Sequence, residues 1–139
     1  MTPDGLMQEC MRTLHSRAAQ EYHTSWPDLA EVLGINGATA RKLIADLRRR
    51  GFVAAPGLYP TALGMRDWMT LPENSSRKNI MRLVVENWLN PSEAAITLTS
   101  LSRTLDVGRG TLNIAIVRLR DMDYLEPRGT IVPTGVWHD

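Results

Sequence analysis

Five cations crowd one short stretch: Arg41, Lys42, Arg48, Arg49 and Arg50 stand against a single acid, Asp46. The stretch carries +4 in a chain whose net charge is only +1. Cations at this density neutralise phosphates, and arginine adds bidentate bonds to base edges. Taken alone, such a run serves equally well as a solvated helix face, so its place in the fold decides. Other chemistry is thinly supported. His15, His23 and His138 lack metal-ligand spacing, and Cys10 is the only cysteine, so no metal and no internal disulfide are expected. Gly108-Arg109-Gly110-Thr111-Leu112-Asn113 nearly spells a dinucleotide fingerprint, but it follows a helical pattern, not a strand, and ends in Asn113. No nucleophile elbow or Walker loop occurs, and the acids are scattered. Neither enzymatic activity nor a cofactor is expected. Trp26, Trp68, Trp88 and Trp137 fall on separate elements, as core or interface anchors rather than a base-stacking platform.

The elements that must position the cations repeat. Shifting the chain by 72 residues sets Leu29 on Leu101, Leu33 on Leu105, Thr39 on Thr111, Ile44 on Ile116 and Leu47-Arg48 on Leu119-Arg120. A one-residue length difference then places Pro60-Thr61 opposite Pro133-Thr134. Each copy opens on an amphipathic helix, with stripes Leu6, Met7, Cys10, Met11, Leu14 and Ile80, Met81, Val84, Val85, Trp88. A short second helix follows, capped in the first copy by Ser25 with Asp28 three residues on, and ended by Gly34. The third helix spans about Ala38 to Arg50 in one copy and Gly110 to Met122 in the other. Two hairpins are expected next: Phe52-Val53-Ala54 with Leu58-Tyr59, and Tyr124-Leu125-Glu126 with Thr130-Ile131-Val132. Thr61 caps a further helix through Trp68.

Helical periodicity sorts the third helix into two faces. Ala40, Leu43, Ile44 and Leu47 cluster on one side and must face a core, since each large apolar side chain buried is worth about 1.5–3 kcal/mol. The opposite side then shows Ala38, Arg41, Lys42, Ala45 and Arg49, a surface that fits a major groove. Asn36 and Thr39 at its start, and Arg50 at its end, are further candidates for phosphate or base contacts. The matching positions of the second copy are Gly110, Asn113, Ile114, Val117 and Asp121, a poor phosphate surface. Arg109, Asn113, Arg118 and a wing-tip Arg128 are candidates for contacts at the DNA edge. Ile114 and Val117 mark either a protein interface or a stripe covered by the first copy.

Helix, helix-turn-helix and a two-stranded wing make the winged-helix pattern. Trp26 to Gly64 resembles the DNA-binding domains of MarR-type and LexA-type bacterial regulators. The resemblance is carried by Leu29-Ala30-Glu31-Val32-Leu33-Gly34-Ile35, the helix Ala40 to Leu47, Arg50-Gly51-Phe52-Val53 and Pro60-Thr61-Ala62-Leu63-Gly64. The wing Ala54 to Tyr59 departs from the pattern in having no basic residue. The resemblance implies a mainly α fold with small β-wings, two winged-helix domains in tandem: 1–70, a linker at 71–76, and 77–139. It implies a sequence-specific regulator of transcription on double-stranded DNA, expected as a repressor and as a homodimer. A tandem winged-helix adaptor, or an accessory protein of replication initiation or chromosome organisation working through a protein partner, is the alternative. Composition agrees with a globular chain, at 43% apolar and 22% charged. No apolar run nears the roughly 20 residues of a membrane span, and no secretion signal opens the chain, so a cytoplasmic protein without a membrane partner is expected.

Overall fold

The computed structural model describes residues 3–90 and 96–137; Met1, Thr2 and His138 lie outside them. Their fold is mainly helical. The α-helices are α1 (Pro3–Ala19), α2 (Trp26–Leu33), α3 (Gly37–Arg49), α4 (Ala62–Asp67), α5 (Ser76–Leu89), α6 (Leu98–Leu105) and α7 (Arg109–Asp121). A 3-10 turn, Trp68–Thr70, follows α4. No helix among the described residues is long and apolar enough to cross a membrane. The helices gather into two units, one uniting Met1–Pro56 with Gly129–Asp139, the other the continuous stretch Gly57–Arg128.

In the first unit, local signals set the helix ends. The Ser25 amide donates to Asp28 Oδ2 at 3.1 Å, which fastens the start of α2. That bond, with a second from the Ser25 hydroxyl, holds the Asp28 carboxyl below its usual range. Gly34 closes α2 at φ 66, a left-handed backbone suited to glycine. The Asn36 side chain accepts the Thr39 amide at 2.8 Å and starts α3. The core joins Cys10, Met11 and Leu14 of α1, Leu29 of α2 and Leu43, Ile44 and Leu47 of α3. Val53 and Ile131 complete it, with Trp137 packed alongside and stacked on His15 at 5.8 Å between centroids. Cys10 is fully buried there, and burial pushes its thiol up to about 12.

The second unit repeats the scheme. Ser75 caps α5 and Thr97 caps α6, each accepting the amide three residues on. Asp106 ends α6 at φ 52, where the first unit has Gly34. Ile80, Met81, Val84 and Val85 of α5 pack with Leu101 of α6 and with Leu112, Ile116 and Leu119 of α7. The 3-10 turn is tied to α5 by Lys78, whose buried ammonium donates to the Met69 carbonyl at 3.0 Å and pairs with Glu73. That bond lowers the Glu73 carboxyl.

The extended segments overturn the expected hairpins. Among the described residues, β-pairing is limited to two isolated antiparallel bridges, Val53 with Pro133 and Pro60 with Leu125. In the first unit the Ala54 amide donates to the Val132 carbonyl at 2.9 Å, and the Thr134 amide to the Phe52 carbonyl at 2.9 Å. In the second, the Glu126 amide donates to Tyr59 at 2.8 Å, and the Thr61 amide to Tyr124 at 3.0 Å. Each outgoing segment therefore pairs with the returning segment of the other sequence repeat. The reason is chemical equivalence: Pro60-Thr61 and Pro133-Thr134 offer the same amide and hydroxyl, so periodicity cannot choose between them. The division of the chain consequently crosses the expected limits of 1–70 and 77–139. Gly64 makes the second pairing sterically feasible, since a Cβ there would stand 2.1 Å from the Tyr124 carbonyl oxygen.

Removing residues 129–139 is expected to open the first unit and leave the helices of the second protected. The reporter is Cys10: its thiol should go from inert to reactive with a thiol reagent, because only an exposed, ionisable cysteine reacts. Ile131→Ala should do the same more mildly, costing about 2 kcal/mol. Cys10 protection retained after truncation, with loss of amide protection in α5–α7, would restore the local hairpins.

Candidate nucleic-acid interface

Leu43 and Ile44 are 6% exposed, and Ala40 and Leu47 are fully buried, so one face of α3 belongs to the core of the first unit. Ala38, Thr39, Arg41, Lys42, Ala45, Arg48 and Arg49 are all exposed. At about 100° per residue, Arg41, Ala45 and Arg48 line up along two turns, with Ala38, Lys42 and Arg49 beside them. The sequence reading left Arg48 out of this face, although its spacing of seven from Arg41 carries the signal. Arg50 is exposed but lies about 180° round from Arg41, just past the last residue of α3. Asn36 spends its side-chain oxygen on the cap, so its role at this surface is to set the start of α3.

The cations differ in how they are held. Arg49 pairs with Asp46 on the same helix. An exposed pair of this kind is worth at most about 1 kcal/mol, so it yields readily to a stronger anion. Lys42, Arg48 and Arg50 have no ion-pair partner among the described residues. Arg41 is held by stacking: its guanidinium carbon lies 4.8 Å from the centroid of the Trp26 ring. Its Nε also donates weakly to the Gly37 carbonyl at 3.4 Å. Trp26 is 41% exposed, so of the core or interface role expected of it, the core role is excluded. Nothing in the one-dimensional pattern marks it. The contact depends on Trp26 starting α2 and Gly37 starting α3, across a turn that the sequence identifies but does not shape.

The outer face of α7 has a different character. Gly110, Asn113 and Asp121 are exposed, as are Ile114 at 58% and Val117 at 44%. Arg109 donates to the Thr99 hydroxyl, which ties it to α6. Arg118 and Arg77 flank a cavity of about 310 Å³ that Ile114 also lines. Arg128 is exposed, but it is no wing tip, because the segments on either side of it do not pair with each other. Among the described residues no group of His, Cys, Asp and Glu could hold a metal ion. No family model, curated protein or solved structure matches this chain.

The two faces of α7 should respond oppositely to a buried-charge test. Ile114→Asp should shift the unfolding free energy by no more than about 0.5 kcal/mol, as exposed substitutions do. Ile116→Asp, at a position 3% exposed, should unfold the second unit, since an unpaired buried carboxylate costs several kcal/mol. Thermal unfolding followed by circular dichroism checks both. Equal melting temperatures for the two variants would contradict the assigned faces.

Proposed function

We propose that this chain is a sequence-specific duplex-DNA-binding regulator, built of two winged-helix-like units and reading DNA through α3. The observation that carries the reading is the division of that one helix. Its apolar residues are spent on the core of their own unit, and its outer face offers Arg41, Lys42, Arg48 and Arg49 around Ala38 and Ala45. Alanines allow a groove to approach the helix closely, and the cations meet phosphate and base edges. Thr39 supplies a hydroxyl at the end of the helix that enters the groove. Occupying an operator is enough to repress, so this reading requires no catalytic step and no cofactor. It places the protein in the cytoplasm, as a homodimer on a palindrome whose half-site centres lie about one helical turn apart.

The exposed Ile114 and Val117 favour a second role for α7, in assembly. Compared position by position, Arg41 becomes Asn113, Lys42 becomes Ile114, Ala45 becomes Val117 and Arg49 becomes Asp121. Each change removes a cation, adds apolar surface or adds negative charge. A protein working purely as an adaptor would use this surface and show no preference among DNA sequences.

Gel-shift titration across salt concentrations tests the main reading. Each phosphate neutralised adds about −0.9 to the slope of log K against log salt, so Lys42→Ala and Arg48→Ala should each flatten the slope by about one unit. Wild-type affinity and slope in both variants would remove α3 from the interface. Light scattering on the complex with the selected site should give two chains per duplex, and Ile114→Asp should shift free protein toward monomer. One chain per duplex would sink the dimer.

A further inference from the structure

Among the cations of α3, Arg41 alone is held against an aromatic ring, with both terminal nitrogens of its guanidinium clear of any acid. We propose that Arg41 is the guanine-reading residue of this interface and that Trp26 is its positioning residue. The proposal rests on the duplex-DNA reading of α3 and gives it a specific base and a specific side chain.

The argument starts from what each kind of contact uses up. An arginine in an ion pair has an in-plane donor already on an anion that a base edge must displace, as Arg49 has its Nη2 on Asp46. An arginine stacked on an aromatic ring commits its flat face and leaves the plane free. The Arg41 guanidinium carbon lies over the Trp26 ring, 4.8 Å from its centroid, and the one further bond, from Nε to Gly37, leaves both terminal nitrogens available. Those two nitrogens form the fork that matches O6 and N7 of guanine. Lys42 and Arg48, by contrast, are unfixed and must lose side-chain entropy on ordering, which suits phosphate contacts that tolerate many geometries.

Position within the helix supports the same assignment. Arg41 stands one turn into α3 with the small residues Ala38 and Ala45 one turn away on either side, which lets a base edge approach its guanidinium. Gly37 is part of the device. A Cβ there would stand 2.9 Å from Cζ3 of Trp26, closer than carbon atoms approach, and would push the ring off the start of α3. Trp26 is far enough exposed that losing its ring need not disturb the core. Its placement makes sense as the platform for Arg41, and Gly37 as the gap that admits it.

The test is a binding-site selection from random duplex DNA, followed by titration of the preferred site and of a copy carrying 7-deazaguanine in place of its guanines. The wild type should select a guanine in each half-site and lose affinity on the order of tenfold when N7 is removed. Arg41→Ala and Trp26→Leu should bind the parent site more weakly, discriminate the 7-deaza copy by less than about threefold, and keep the wild-type salt slope within about one unit. Trp26→Phe retains a ring face and should restore most of the discrimination. Gly37→Ala reaches the same contact without altering either partner and should mimic Trp26→Leu, so the proposal stays testable if one variant misfolds. Full discrimination in both Trp26→Leu and Gly37→Ala overturns the positioning role. Salt-dependent binding by the wild type with no guanine in the selected site overturns the guanine assignment and leaves α3 as a phosphate-binding helix. Absence of any duplex binding overturns both the assignment and the function on which it rests.

Discussion

After each third helix the chain turns through a left-handed residue, Gly51 at φ 79 or Asp123 at φ 62, and then runs extended. The amides and carbonyls of that run leave the helix ladder unpaired and must be satisfied elsewhere. A threonine from far along the chain supplies the answer both times. Thr134 donates its amide to Phe52 and its hydroxyl to the Gly51 carbonyl at 2.7 Å. Thr61 donates its amide to Tyr124 and its hydroxyl to the Asp123 carbonyl. These pairings fix the exit of α3 and of α7, and with it which face of each helix turns inward. The cationic surface of α3 is therefore a consequence of a clamp at the end of the helix as much as of the core beneath it.

Once that orientation is fixed, the two third helices keep an apolar inner face and diverge in chemical character on their outer faces. The inner residues Ala40, Leu43, Ile44 and Leu47 have the counterparts Leu112, Ala115, Ile116 and Leu119. Both sets do the same packing with small and large side chains in different order. The outer residues share no such constraint, because water is their default neighbour and a substitution there costs little stability. Packing thus holds the inner face to apolar residues in any workable order, and leaves the outer face free to differ in charge and polarity.

How far the sequence could be read follows from the range of each signal. Helix ends, the buried face of α3 and the exposure of its cations were legible, because they depend on periodicity and on caps such as Ser25 and Thr61 that act within three or four residues; Asn36, read as a groove contact, proved to be a cap of the same range. The partners of the extended segments were not. Pro56-Gly57 and Pro127-Arg128-Gly129 look like hairpin turns, yet the returning residues on either side serve the other repeat. The stacking of Arg41 on Trp26 was hidden for a related reason. Both residues are visible, but their contact needs the turn between α2 and α3 in three dimensions.

Magnitudes explain how a distant pairing can prevail over a near one. Thr134 bonds Gly51 across a separation of 83 residues, and Thr61 bonds Asp123 across 62. Closing a loop near 80 residues in place of a hairpin near eight costs roughly 2 kcal/mol more in chain entropy, because the cost grows only with the logarithm of length. Burying Ile131 in the first core contributes about 1.5–3 kcal/mol on the scale of apolar transfer, a magnitude similar to that difference. Its amide also donates to the Thr24 carbonyl at 2.7 Å, and Trp137 adds its stack on His15. Leu58, the matching residue of the near segment, is buried in the second core. Each return thus buries its apolar side chain in the unit whose backbone it pairs with, and the core that orients α3 includes residues from the far end of the sequence.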